Sequence, residues 1–251
     1  MVIYKKFAKF YASGGYPRYS MKMARIFPDI LGAIGARPQK ILDLACGEGS
    51  FVREISKLGY EVHGLDRSKD MLRVAEKKAE ETGVEVDFFR ADMRDLSFEE
   101  EYEAVTCWFD SINYLLTEED LDRAFRGIHR SLKEDGIFIF DVNTIYQLKT
   151  KWQENDCYVQ RDNDKVFELH RTEYDPERDV ATLKITAFEK CKDSWLRMDE
   201  EHKERGYRID ELEGCFKRNN FSEIARWDDP QKRTAPDEKS GKIWFVLRKE
   251  G

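Results

Sequence analysis

The stretch Lys40-Ile41-Leu42-Asp43-Leu44-Ala45-Cys46-Gly47-Glu48-Gly49-Ser50-Phe51-Val52 decides the fold. Ile41, Leu42, Leu44 and Ala45 form a short apolar run, the pattern of a strand buried on both faces. Gly47 and Gly49 break the run, and Phe51, Val52, Ile55 and Leu58 then recur at helical spacing. Strand, glycine turn and helix open a doubly wound α/β domain, where ligands bind outside the carboxyl ends of the strands. The turn needs glycine because the chain reverses sharply and a ligand approaches its backbone.

The carboxylates narrow the ligand. A dinucleotide fingerprint, G-x-G-x-x-G, needs a third glycine where Val52 stands, so an NAD-dependent oxidoreductase is disfavoured. Asp43, inside the first strand, would repel a diphosphate. Val62 to Asp66 reads as a second strand ending in an acid able to accept hydrogen bonds from both ribose hydroxyls. A third, Val86 to Asp92, also ends in an acid, followed by Met93. Three such acids suit a cationic nucleoside without phosphates, and S-adenosylmethionine is one.

The segments Asp43-Leu44-Ala45-Cys46-Gly47-Glu48-Gly49, Gly64-Leu65-Asp66 and Ala91-Asp92-Met93 together resemble the class I S-adenosylmethionine-dependent methyltransferases. The resemblance implies a Rossmann-like doubly wound α/β sheet with S-adenosyl-L-methionine as cofactor. It places Asp43, Ala45, Gly47 and Gly49 around the methionine end, Asp66 with Arg67 at the ribose, and Asp92, Met93 and Met71 at the adenine. Phe109 and Ser111, after the fourth strand, and Tyr11 and Tyr19, ahead of the first, complete the expected cofactor contacts.

The chain has 251 residues, sized for one α/β domain with an insertion, and 37% of them are charged. No stretch reaches the ~20 apolar residues of a membrane span, and Met1 to Phe7 lacks an apolar signal core. A cytoplasmic protein without a membrane partner is expected, monomeric or homodimeric. Cys46, Cys107, Cys157, Cys191 and Cys215 form no C-x-x-C pair, which reads as reduced, mostly buried thiols rather than a zinc site. The net charge of −7 divides into +7 over residues 1–40 and −14 beyond. That basic segment admits an RNA partner, though a solvated helix surface on an acidic body is the plainer reading.

Along the chain, Tyr4, Phe7, Ala8 and Tyr11 sit at helical spacing, and Tyr19 to Ile34 reads as a second helix kinked or restarted at Pro28. These make a helical lid over residues 1–36, with Tyr11, Tyr16 and Tyr19 reaching the sulfonium or the substrate. Residues 37–144 form the cofactor-binding core, with Tyr102 to Phe109 and Ile137 to Val142 as the fourth and fifth strands. Between these two strands Leu121 to Leu132 is a helix, with Gly136 as its left-handed cap. Residues 145–207 read as an antiparallel insert over the active site, with period-two alternation in Val166–Tyr174, Val180–Phe188 and Trp195–Tyr207. Residues 208–251 return to the core as a helix and two strands.

Asp110-Ser111-Ile112-Asn113-Tyr114 falls where this family meets its substrates. It is not the Asp/Asn-Pro-Pro-aromatic signature of base amino-group methylation, and Cys107 does not follow a proline as a pyrimidine nucleophile would. A small acceptor is therefore expected, methylated on nitrogen rather than oxygen. No acids stand at metal-ligand spacing on the strand ends, so no metal is expected. Substrate contacts are expected from Asp110, Asn113, Tyr114, Asn143, His170 and His202, and catalytic roles from His202, Tyr19 and Asp110. His202 is the general-base candidate because a free imidazole titrates near working pH. An RNA or ribonucleoside methyltransferase and a non-catalytic cofactor-binding module are the alternatives.

Overall fold

A computed structural model describes Tyr4 and residues 7–251. The sequence start, with Lys5 and Lys6, lies outside the described residues. The helix expected from Tyr4 is described as α1 (Phe7–Ser13), followed by α2 (Pro17–Ile34). Pro17 opens α2, where its missing N–H costs nothing, and Gly35 closes it at φ 68°. The expected restart at Pro28 is corrected: α2 runs through it unbroken. A mid-helix proline costs roughly 3 kcal/mol, but Met23, Ile26, Phe27, Ile30 and Leu31 are all buried at about 1.5–3 kcal/mol each.

The core alternates β1 (Lys40–Leu44), α3 (Ser50–Ser56), β2 (Glu61–Asp66), α4 (Lys69–Thr82), β3 (Asp87–Arg90), β4 (Tyr102–Cys107), α5 (Glu118–Ser131) and β5 (Leu132–Asn143). A π-turn at Gln147–Lys151 and the short α6 (Trp152–Glu154) lead to β6 (Cys157–Asp162), β7 (Val166–Asp175), β8 (Val180–Cys191) and β9 (Ser194–Arg205). The chain then closes with α7 (Ile209–Arg218), β10 (Phe221–Trp227) and β11 (Lys242–Lys249).

The large sheet has the order β10-β11-β5-β4-β1-β2-β3. Strands β1 to β5 are mutually parallel, and β11 lies antiparallel to both β5 and β10. Chain order reverses at β1, between β4 and β2, which opens a crevice at the carboxyl ends of these strands. One face buries Phe125, Phe138, Phe140 and Phe216 under α5 and α7; the other buries Phe27, Phe51, Val52 and Ile139 under α2 and α3. This is the doubly wound Rossmann-like fold expected, joined by a separate antiparallel sheet of order β6-β7-β8-β9.

That second sheet has four strands where three segments alternate. β6 is an edge strand exposed at nearly every position, so no buried face imposes a period of two on it. Phe7 and Phe10 of α1 pack on Ile185, Ala187 and Met198 of the sheet, which carries the lid. The expected Gly136 cap is also corrected: α5 ends at Ser131 with Leu132 as its cap, and Asp135 takes the positive φ of 59°. Gly136 is required for space, since a Cβ there would lie 2.8 Å from the Lys133 carbonyl oxygen. No described helix is long and apolar enough to cross a membrane.

Candidate active site

A cavity opens at the carboxyl ends of β1, β2 and β4. The loop after β1 shapes it, with positive φ at Ala45 (52°), Gly47 (57°) and Gly49 (77°). The Gly47 N–H donates to Asp66 Oδ2 at 2.9 Å and the Ser68 N–H to Oδ1 at 2.7 Å. Each oxygen keeps a lone pair for a ligand hydroxyl. Burial raises the Asp66 pKa, opposed by those backbone donors. Asp43 accepts from Thr106 Oγ1 at 2.7 Å, and burial pushes its pKa up to about 8. Leu65, Met71, Met93 and Phe109 supply apolar wall, and Arg67 and Ser111 also line the cavity.

Three details refine the expected cofactor set. Asp92 lines the cavity, but its carboxylate is held by Arg94, through Nε at 2.9 Å and Nη2 at 2.7 Å. Burial works against its charge, yet Arg94 keeps its pKa below the usual range. Gly49 is corrected as a cofactor contact: it lies behind the wall as the N-cap of α3, where a Cβ would sit 3.0 Å from Ala75 and Phe88. Glu48, which sequence reasoning missed, is buried on the cavity wall and binds Arg53 at 3.1 Å and Lys78 at 2.6 Å. Lys78 also donates to the Ala12 carbonyl at 3.3 Å, tying the lid to the loop. Burial pushes the Cys46 thiol up, so Cys46 is a spacer in this wall.

Tyr4, Tyr11, Phe109 and Tyr114 line this cavity and also a second one, between the lid, the antiparallel sheet and the end of β4. Tyr19 is corrected as a cofactor contact. It lines only the second cavity, stacked on Phe109 at 4.8 Å with Lys242 Nζ 5.2 Å from its ring centre, and Ser20 lines the first instead. Its hydroxyl is buried beside Asp141 and Trp244 but makes no hydrogen bond of normal geometry among the described residues.

Phe109 and Asp110 both take left-handed φ, 59° and 53°, a conformation that costs non-glycine residues energy. Asp141 holds it by accepting both N–H groups, at 2.8 and 2.9 Å. Lys242 bridges Asp141 and Asp110 at 2.5 Å each. Burial opposes the Lys242 charge, but Asp110 and Asp141 outweigh it and raise its pKa. Glu204, also missed, lines the same end and accepts from Asn143 Nδ2 at 2.8 Å. Burial, then the Asp110 charge, pushes the Glu204 pKa well up.

Asn113 is corrected as a substrate contact. It is fully buried, lines neither cavity, and staples the Asn143 and Arg205 carbonyls (2.9 and 2.8 Å) while accepting the Asn143 N–H at 2.9 Å. His170 lines the second cavity with both ring nitrogens taken, Nε2 by Glu168 at 2.7 Å and Nδ1 by Tyr158 at 3.0 Å. With Tyr16 and Arg161 on the same Glu168, it anchors the lid rather than offering a free nitrogen. His202 is 3% exposed and pairs Nδ1 with the Tyr114 hydroxyl at 3.0 Å, while Nε2 has no partner among the described residues. Burial lowers its pKa to about 4, so near neutrality it can accept a hydrogen bond but is a poor store for a proton. Burial thus weighs against the base role expected from a free imidazole.

The family described as "Methyltransferase domain" matches residues 41–136. The chain is 30% identical over 228 residues, 87% of each chain, to a Geobacillus sp. (strain WCH70) protein provisionally named a methyltransferase. An S-adenosylmethionine-dependent methyltransferase from Clostridium acetobutylicum ATCC 824 superposes with a TM-score of 0.84 at 26% identity over 99% of both chains. Over 101 residues, 40% of this chain and 38% of the relative, it is 33% identical to the dTDP-3-amino-3,6-dideoxy-alpha-D-glucopyranose N,N-dimethyltransferase of Streptomyces fradiae. The chain belongs to the class I S-adenosylmethionine-dependent methyltransferases; it is an enzyme of that activity, with S-adenosylmethionine as its cofactor.

Proposed function

We propose that the enzyme methylates a small molecule held in the second cavity, on nitrogen rather than oxygen. The observation that carries this reading is the shared aromatic wall of Tyr4, Tyr11, Phe109 and Tyr114, which sets the two cavities face to face. Asp43, Ala45, Gly47, Asp66, Arg67, Met71, Asp92, Met93 and Ser111 hold the cofactor. When bound, the cofactor supplies a methyl group on a cationic sulfur, an electrophile that an amine attacks directly. Aromatic faces attract such a cation by ~0.5–2 kcal/mol and keep water away.

The chain's main work is then alignment, which contributes ~7–11 kcal/mol in well-oriented cases. Tyr114 fixes the His202 ring so that Nε2 faces the acceptor, and Asn143, Asp110 and Tyr19 line its seat. Residues 145–207 cover the acceptor and residues 1–36 form the lid. Nitrogen is supported by the neutral His202 and the carboxyl groups of the cavity's inner end, and by the Streptomyces fradiae relative, named for an amino sugar. The test is methyl transfer from labelled cofactor to a panel of amino sugars and small amines, each paired with its hydroxyl analogue. Transfer to amines alone is expected; transfer only to the hydroxyl members, or only to RNA, overturns the reading.

A further inference from the structure

Four side chains the sequence reading did not bring together meet at the inner end of the second cavity: Asp110, Asp141, Glu204 and Lys242. Asp110, Glu204 and Lys242 line it, and Asp141 is fully buried behind them. Lys242 contacts both aspartates at 2.5 Å, and Asn143 Nδ2 reaches Glu204 at 2.8 Å. Burial raises the pKa of both Asp110 and Glu204, and Lys242 opposes this at Asp110. The cluster gathers three carboxyl groups around one ammonium. Among the described residues, the other cations lining the cavity, Arg18 and Lys151, are exposed at its solvent side. A buried surplus of negative charge is costly unless a cation meets it.

A second observation points to the same spot. Two residues before Glu204 on β9, on the same face, His202 Nε2 is buried on the cavity wall without a partner among the described residues. In the tautomer that carries its proton on Nδ1, shared with the Tyr114 oxygen at 3.0 Å, Nε2 presents a lone pair, suited to an N–H donor.

We propose that the Asp110–Glu204 carboxyl pair, with the His202 Nε2 lone pair beside it, seats the acceptor as an ammonium ion and takes one proton from it, leaving a neutral amine. This rests on the reading of the second cavity as the acceptor site. The pair's charge falls by one as the amine's lone pair is freed, so the inner end selects amines over alcohols of the same shape.

The experiment uses the whole chain with carboxyl-¹³C-labelled glutamate, saturated with S-adenosylhomocysteine to fill the first cavity. Ethylammonium chloride is then titrated against ethanol as the uncharged control, and the Glu204 resonance is identified by its loss in Glu204→Gln. A saturable shift with ethylammonium and none with ethanol is expected. Glu204→Gln is expected to bind ethylammonium at least tenfold more weakly, with S-adenosylhomocysteine affinity within twofold of wild type. If Glu204→Gln does not fold, Glu204→Asp assigns the resonance and the wild-type titration decides. No shift with ethylammonium, an equal shift with ethanol, or unchanged ethylammonium affinity in Glu204→Gln overturns the proposal. Failure to bind S-adenosylhomocysteine would instead remove the cofactor assignment beneath it.

Discussion

The two cavities are built in opposite ways. The cofactor cavity takes most of its wall from residues 43–48, 65–71 and 91–94, at the ends of consecutive strands. The acceptor cavity gathers Tyr16, Asp110, Asn143, His170, His202, Glu204 and Lys242, from the lid, two sheets and the last strand. Most of the first is built by three successive strand ends of the core. The second exists only when the lid, the insert and the core have docked. Substitutions in it should therefore disturb folding and acceptor binding while sparing the cofactor.

The largest effect is expected at Lys242. Lys242→Met leaves Asp110 and Asp141 buried without their cation, a loss of roughly 3–5 kcal/mol in unfolding free energy, read by thermal or urea denaturation. The fraction still folded should keep its S-adenosylhomocysteine affinity; if that affinity collapses too, the two cavities are not separable.

Acid sensitivity should also lie in the acceptor half. His202 has its pKa lowered to about 4 by burial, whereas an unfolded histidine titrates near 6.5. Between those values only the unfolded chain binds the proton, so stability falls as pH drops from about 6.5 to about 4, by up to about 3 kcal/mol. His202→Gln should flatten that segment of the stability–pH curve, and an unaltered slope would contradict the burial argument.

A smaller effect is expected at the lid. Tyr16→Phe removes the hydroxyl that binds Glu168 and lies 3.2 Å from His170, at about 1 kcal/mol. Amide exchange in α1 should quicken and the acceptor KM rise, with cofactor affinity changed little. Equal protection of α1 in both proteins would mean the apolar contacts of Phe7 and Phe10 alone hold the lid.

The same contrast explains what the sequence revealed. Asp43, Gly47, Asp66 and Met93 were legible because each stands at a fixed offset from a strand end, where backbone geometry alone aims the residue. Asn113 misled because a polar residue near a strand end has two uses, facing a ligand or stapling backbone, and only the positions of Asn143 and Arg205 decide between them. Glu204 was hidden in the charged run Asp199 to Arg205, which alternation divides into two faces without saying which one is covered. Lys242 follows a polar loop at the start of the last strand, and nothing local to it signals that Asp110 and Asp141 converge there. β6 escaped because an edge strand exposed on both faces carries no hydrophobic period.

The most direct test of the carboxylate-built cofactor cavity is calorimetric titration with S-adenosylhomocysteine, with NADH in parallel, on wild type and Asp66→Ala. Saturable binding of S-adenosylhomocysteine alone is predicted, weakened about a hundredfold in Asp66→Ala, the loss of roughly 2.7 kcal/mol expected when a buried charged acceptor is removed. Equal affinity in the two proteins, or preference for NADH, would contradict it.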